Sequence, residues 1–189
     1  MATSSTVTIT SDIAYSVVDQ TDTNNINRYN NSLQYSLVYN HGTGVPSSGI
    51  TNSQVNLYVK SSGTLSGNSV QPIDFTNYNK VTLGIPYTYE FHELKGLVIE
   101  NMSSGTGEIL YLTATGSNAF TNIFNGGTGN LAINPYGSYM YTDMYGTDVT
   151  ASNKLLYIEN RTSTGIPYAL IAVGVNTGIA SEDESISLP

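Results

Sequence analysis

The chain has 189 residues, a formal net charge of −8 and no cysteine. Without Cys it can form neither a disulfide nor a thiolate metal site. Its four Lys and two Arg are too few to neutralise a nucleic-acid backbone or to seek an anionic lipid surface, so neither partner is expected.

Gly, Ser, Thr and Asn supply 83 residues, yet 39% of the chain is hydrophobic and 15 residues are Tyr. Disordered chains are poor in aromatic and β-branched residues. Thr and Tyr favour pleated strands, while Gly, Asn and Ser serve turns. The composition therefore reads as many short strands joined by many turns, in a length that suits one ordinary domain or two small ones.

The N-terminal stretch "MATSSTVTITSD" has no basic n-region and no apolar h-region, so no secretory signal is expected. No apolar run approaches the ~20 residues that span a bilayer. Residues 1–50 read as an N-terminal strand or arm with polar loops: "TVTIT" (6–10) and "LQYSLVY" (33–39) alternate as strands, and "DQTDTNNINRYNN" (19–31) reads as a polar loop or extended segment. The main domain is expected over 51–176. Its predicted strands are "QVNLYVK" (54–60), "KVTL" (80–83), "LVIE" (97–100), "EILYLTAT" (108–115), "NLAI" (130–133), "SYMYT" (138–142), "KLLYIE" (154–159) and "YALIAVG" (168–174). Turn clusters such as "SSGTLSGN", "NGGTGN" and "NPYG" separate them. Residues 177–189 carry acids and no cation, and read as a solvated or partner-seeking tail.

Strand after strand at this spacing predicts an all-β, antiparallel sandwich, jelly-roll-like in character. One phrase occurs twice. "KGLVIENMSS" (95–104) and "KLLYIENRTS" (154–163) each lead through a hydroxyl-rich loop into another apolar strand. The spacing predicts a duplicated hairpin over 95–116 and 154–174. Alternation puts Leu97, Ile99, Leu156 and Ile158 on the buried face, with Glu100 and Glu159 facing solvent or an interface. Asn101 and Asn160 suit the start of a turn, because a short amide bonds nearby backbone groups.

Catalytic chemistry finds little support. The two His, His41 and His92, have no Gly-x-Ser-x-Gly stretch to serve. Glu90 and His92 of "YEFHE" would share a strand face, and Asp143 and Asp148 flank a Gly turn, but neither pair makes a closed ligand set. Glu100 and Glu159 mark the same structural spot twice rather than two complementary carboxylate roles. "NGGTG" lacks the Lys-Ser/Thr of a phosphate loop. No enzyme activity, cofactor or metal is expected. The strongest feature outside the core pattern is "NPYGSYMYTDMYG" (134–146). Its Tyr136, Tyr139, Met140, Tyr141, Met144 and Tyr145 are the candidate interface, since Tyr and Met are enriched where proteins meet. Stacking of a glycan on these rings, or packing of some of them into the core, is the competing reading.

The stretch "IDFTNYNKVTLGIPYTYEFHELKGLVIENMSSGTGEI" (73–109) resembles small capsid-decoration and head-fibre proteins of tailed bacteriophages. So does "LAINPYGSYMYTD" followed by "LLYIENRTSTGIPYALIAVG". The resemblance covers about residues 50–175. It implies a jelly-roll or sandwich structural protein of the virion, made in the host cytoplasm. It further implies a homo-oligomer, a trimer being favoured, bound to the major capsid protein or another virion protein. The alternative is a carbohydrate- or receptor-binding module of a virion or surface adhesin, with a glycan as partner.

Overall fold

The computed structural model describes residues 6–22, 25–41, 54–82, 85–124 and 129–176, with side chains over 55–79, 88–124 and 129–176. The chain is all-β. Among the described residues the one helical element is a three-residue 3-10 turn, Asn122–Phe124.

Two strands of 17 residues, β1 (Thr6–Asp22) and β2 (Asn25–His41), form a long antiparallel ribbon. The end of β2 then pairs in parallel with β3 (Gln54–Val55). The polar stretch 19–31 is therefore strand rather than loop over most of its length: ladder bonds satisfy its backbone whatever its side chains.

The remaining strands are β4 (Leu57–Leu65), β5 (Ser69–Asp74), β6 (Tyr78–Thr82), β7 (Ile85–Tyr89), β8 (Glu93–Asn101), β9 (Leu110–Ala114), β10 (Gly129–Ile133), β11 (Ser138–Asp148), β12 (Leu155–Asn160) and β13 (Ile166–Val175). One four-stranded sheet has the order β11-β8-β13-β4. The other has the order β10-β9-β12-β5, and β6 and β7 pair as a separate hairpin. β5 and β7 contain Pro72 and Pro86 and break the alternation that signals a strand. Pro72 is tolerated because β5 is an edge strand, where no second ladder needs its missing N–H.

All neighbours within the two four-stranded sheets are antiparallel. The strands β4, β5, β8 and β9 are answered in reverse by β13, β12, β11 and β10. Each of these four earlier strands is thus paired within its sheet with one of the four later ones. The core lies between them. Leu97 and Ile99 of β8, Leu110 and Leu112 of β9, and Leu156 and Ile158 of β12 are all fully buried, as their alternation required. Three of the four Phe close one end: Phe75 lies edge-on to Phe91 at 6.0 Å and to Phe120 at 5.1 Å.

The expected hairpins over 95–116 and 154–174 are corrected. β8 and β9 lie in different sheets, and so do β12 and β13. Each unit is a corner that carries the chain across the core. Period-2 burial is the same whether the next strand lies beside or opposite, so the pattern could not tell the two apart. The duplication itself is structural. β8 pairs with β13 as Asn101↔Tyr168, Ile99↔Leu170 and Val98↔Ile171. β12 pairs with β9 as Asn160↔Leu110, Ile158↔Leu112 and Tyr157↔Thr113. The second set is the first with the repeat partners exchanged, so a local two-fold relates the two corners.

The Ile-Glu-Asn phrase is explained by that corner. Asn101 and Asn160 are buried. Asn101 Nδ2 donates to the carbonyls of Glu108 (2.7 Å) and Ile133 (2.9 Å), and its Oδ1 accepts from Ser103 N. Asn160 Nδ2 donates to Leu65, Ser66 and Thr164 carbonyls, and its Oδ1 accepts from Thr162 N and Oγ1. In each copy the amide both turns the chain and ties the corner to the end of a neighbouring strand. Glu100 is exposed, and Glu159 is half-buried beside Arg161 at 2.7 Å.

Candidate functional site

The stretch 134–146 supplies a turn and most of β11, an edge strand whose one neighbour is β8. Its six candidates fall into three environments. Tyr139 and Tyr141 face inward and pack against the core. Tyr139 Oη donates to Ile123 O at 3.3 Å. Tyr141 Oη hydrogen-bonds Thr147 Oγ1 and donates to Asp143 Oδ2. Burial pushes both hydroxyls above the ordinary tyrosine pKa. Both rings are half-buried and pack on the core.

Met140 points to the opposite side of the sheet. Register places it in one row with Val98 and Ile171. It packs on a small outer cluster with Val55, Val173, Tyr58 and Ile171.

Tyr136, Met144 and Tyr145 are exposed, Tyr136 at 74% and Tyr145 at 65%. Tyr136 follows Pro135 in a turn closed by Gly137 N donating to Asn134 O at 2.8 Å. Its φ is +58°. Pro at the second position and positive φ at the third define a type II turn, where Gly or Asn ordinarily stands. An aromatic side chain held there is strained and solvent-facing at once.

Met144 and Tyr145 sit on a bulge where the β11–β8 register breaks between Thr142 and Thr147. Asp143 builds the bulge: its Oδ1 accepts from Tyr145 N at 2.9 Å and its Oδ2 from Thr147 Oγ1 at 2.9 Å. Gly146, at φ +88°, lies so close that a Cβ would come within 2.9 Å of Glu93 Oε2 and 3.1 Å of Lys95 Cε. Beneath the bulge, Lys95 is fully buried with its Nζ 3.6 Å from Glu93 Oε2. Burial pulls the Lys95 ammonium below its ordinary pKa, and the carboxylates of Glu93 and Asp143 pull back. Lys95 was invisible as a buried residue in the sequence. It falls where β8 is out of step with both neighbours, so alternation cannot assign its face.

Two further features escaped the sequence. Met102, 49% exposed, follows the Asn101 corner, at the same end of the sandwich as the Tyr136 turn: Asn101 N donates to Gly137 O. On the outer face of the β10-β9-β12-β5 sheet, the Arg161 guanidinium lies 4.0 Å over the Tyr111 ring and is bridged to Glu159. Tyr157 stands half-buried, diagonal to that pair in the ladder. The signal for this second aromatic face was present in "LYIENR" and "EILYL", where alternation sends Tyr157 and Tyr111 outward.

Of the other sequence candidates, Glu90 and His92 meet while Asp143 and Asp148 serve different places. His92 Nε2 approaches Glu90 Oε1 at 3.7 Å, and both side chains are well exposed. Asp143 serves the bulge, while Asp148 is exposed. Among the described residues no three His, Cys, Asp or Glu gather as a metal-ligand group. No helix of the described residues is long and apolar enough to cross a membrane. His41, at the end of β2, is placed by its backbone pairing with Val55. The acidic tail, 177–189, lies outside the described residues.

No family model matches the chain, and no curated protein does. Among solved structures, the Yersinia pseudotuberculosis-derived mitogen aligns at 16% identity. It covers 68% of this chain and 92% of that one, with a TM-score of 0.32. A likeness at that level carries no weight for fold or function.

Proposed function

We propose that the chain is a non-catalytic structural protein of a virion, wound as a jelly roll, which decorates or stabilises a phage capsid through self-association and shell binding. The winding is supported by strand order: eight strands in two sheets, with β4–β13, β5–β12, β8–β11 and β9–β10 as neighbours. The function rests on one observation, the exposed aromatic side chains of the β11 edge. Tyr136 is held in a strained turn and Tyr145 on a bulge built over the buried Lys95. Exposed Tyr rings on rigid supports are what an interface uses, because little conformational entropy is left to lose. The assembly is a homotrimer on the shell, and its acidic charge keeps particles apart.

The test measures binding of purified protein to empty capsid shells, comparing wild type with Tyr136→Ser, Tyr145→Ser. These exposed rings can be removed without opening the core, unlike Tyr139 and Tyr141. A drop in shell affinity of at least tenfold at an unchanged unfolding midpoint is expected. Wild type with no shell affinity, or a variant that binds equally well, refutes the reading.

A second reading is supported by the outer face around Tyr157, where an aromatic ring stands beside the Glu159–Arg161 pair. That arrangement suits a glycan- or receptor-binding module. Glycan binding that is lost in Tyr157→Ser and kept in Tyr136→Ser, Tyr145→Ser decides for it.

A further inference from the structure

The β1–β2 ribbon is long, regular and one-sided. Its register pairs Val7 with Tyr39, Ile9 with Leu37 and Ile13 with Leu33, and all odd-numbered positions share one face. Ten of the fourteen paired positions from 7 to 39 on that face are aliphatic or Tyr; three of fourteen are apolar on the even-numbered face. Such a pattern specifies a face that is to be covered. A two-stranded ribbon with nothing over its apolar face is marginal in water at best.

The chain's own sandwich does not extend to cover it. β2 runs parallel to β3, with Asn40 opposite Gln54 and His41 opposite Val55. β3 runs on into β4 alongside the end of β13: Leu57 pairs with Gly174, Asn56 N donates to Gly174 O, and Asn56 Oδ1 accepts from Asn176 N. Positions 25–39 of β2 therefore lie upstream of Gln54, and the ribbon runs off the end of the sheet rather than along β4. At about 3.3 Å per residue, 15 positions project roughly 50 Å.

We infer that the β1–β2 arm is the trimerisation element: the arms of three copies pack their odd-numbered faces together around a common axis, running the same way. Four Tyr and six aliphatic residues per arm bury on the order of 800 Å² per copy, the share that a stable interface needs. The face suits a second copy of itself. Its one charge is Asp19 at the tip, so identical arms meet along their length without burying like charges. The three-fold count is that of the assembly proposed above, and closed symmetry gives every copy the same surroundings. The inference rests on the self-association in the reading above and is independent of the shell.

The chain has no Cys, so a single introduced thiol reports contacts between copies alone. Ser11 lies on the odd-numbered face opposite Tyr35, and Thr10 on the even-numbered face opposite Ser36. Parallel arms bring position 11 of every copy to one level. Under mild oxidation the full-length Ser11→Cys protein is expected to give a covalent dimer within the trimer, and Thr10→Cys none. In parallel, Ile9→Asn, Leu37→Asn is expected to weaken the trimer at least tenfold by light scattering, while Thr10→Asn, Ser36→Asn leaves it unchanged. Wild type that is monomeric at micromolar concentration overturns the inference. So does equal cross-linking at both thiols, or a trimer that survives the apolar-face substitutions. Should those substitutions unfold the sandwich, the cross-link alone decides. Shell binding by a monomeric wild type removes this inference and keeps the virion reading. A Ser11→Cys-linked trimer without shell affinity does the reverse.

Discussion

Asn160 offers the sharpest probe of how the corners hold the sandwich together. Truncation to Ala removes the donor that serves Leu65 O at 3.1 Å and Thr164 O at 2.6 Å, and the acceptor that serves Thr162 N at 2.9 Å. The bond to Leu65 O is wholly buried, and an orphaned buried acceptor costs about 1–3 kcal/mol. The other two groups are part-buried and recover some hydration, so they add roughly 0.5–1 kcal/mol each. The expected loss is about 3 kcal/mol, a large share of the ~5–15 kcal/mol that holds a domain. With an m-value near 2 kcal/mol/M, the urea midpoint falls by about 1.5 M at fixed protomer concentration and unchanged m. Asn160→Asp supplies the isosteric control. It keeps the acceptor for Thr162 but sets a carboxylate oxygen against carbonyl oxygens. Those carbonyls and burial raise the folded pKa of the new carboxyl above its unfolded value. Its stability is therefore best below the unfolded pKa, near pH 4, and is lost as pH rises through the folded one. A loss below about 1 kcal/mol for Asn160→Ala, or an Asp variant as stable as wild type at pH 7, would refute this account of the repeated Ile-Glu-Asn.

Other outcomes follow from the same physics. Ile99→Ala and Ile158→Ala, each fully buried, are expected to cost about 2–5 kcal/mol in urea unfolding; a cost under about 1 kcal/mol for either contradicts the core assignment. Burial would raise the Asp74 carboxyl, but hydrogen bonds from Lys154 (2.9 Å) and Thr76 outweigh it and hold its pKa below the ordinary value. Its contribution is present above the unfolded carboxylate pKa and lost as pH falls through the lowered folded one. Lys154→Met should therefore lose stability at neutral pH and converge on wild type in acid, as read from thermal midpoints. Lys95 has a folded pKa lowered by burial, so the unfolded chain holds more protons between that value and the ordinary lysine pKa. Wild-type stability should rise with pH across that window relative to Lys95→Met; identical slopes in the two proteins would count against a Lys95 whose pKa is lowered by burial.

By itself the sequence determined the class of fold and most of its strands. Alternating apolar residues, Thr- and Tyr-rich runs and Gly/Asn turns admit little but an antiparallel sandwich. The burial of Leu97, Ile99, Leu156 and Ile158 followed from period 2 alone. The repeat was legible too, including Asn as the turning residue, because an amide that satisfies its own neighbours is a local property. What lay across the core was not legible. A strand's pattern records that one side is buried, not whether the burying layer is its chain neighbour or a strand 60 residues on. Tertiary structure therefore decided that the two repeats are corners between sheets rather than hairpins. It also divided the Tyr136–Tyr145 stretch, turning Tyr139 and Tyr141 inward, setting Met140 on the outer face, and leaving Tyr136, Met144 and Tyr145 in water. Period 2 sets Met140 opposite Tyr139 and Tyr141, and the 134–137 turn holds Tyr136; the β11 bulge places only Met144 and Tyr145, and a bulge interrupts the very periodicity from which facing is read. Lys95 was hidden for the same reason: a charged residue reads as solvent-facing, and only the bulge packed over it closes it off beside the half-buried Glu93.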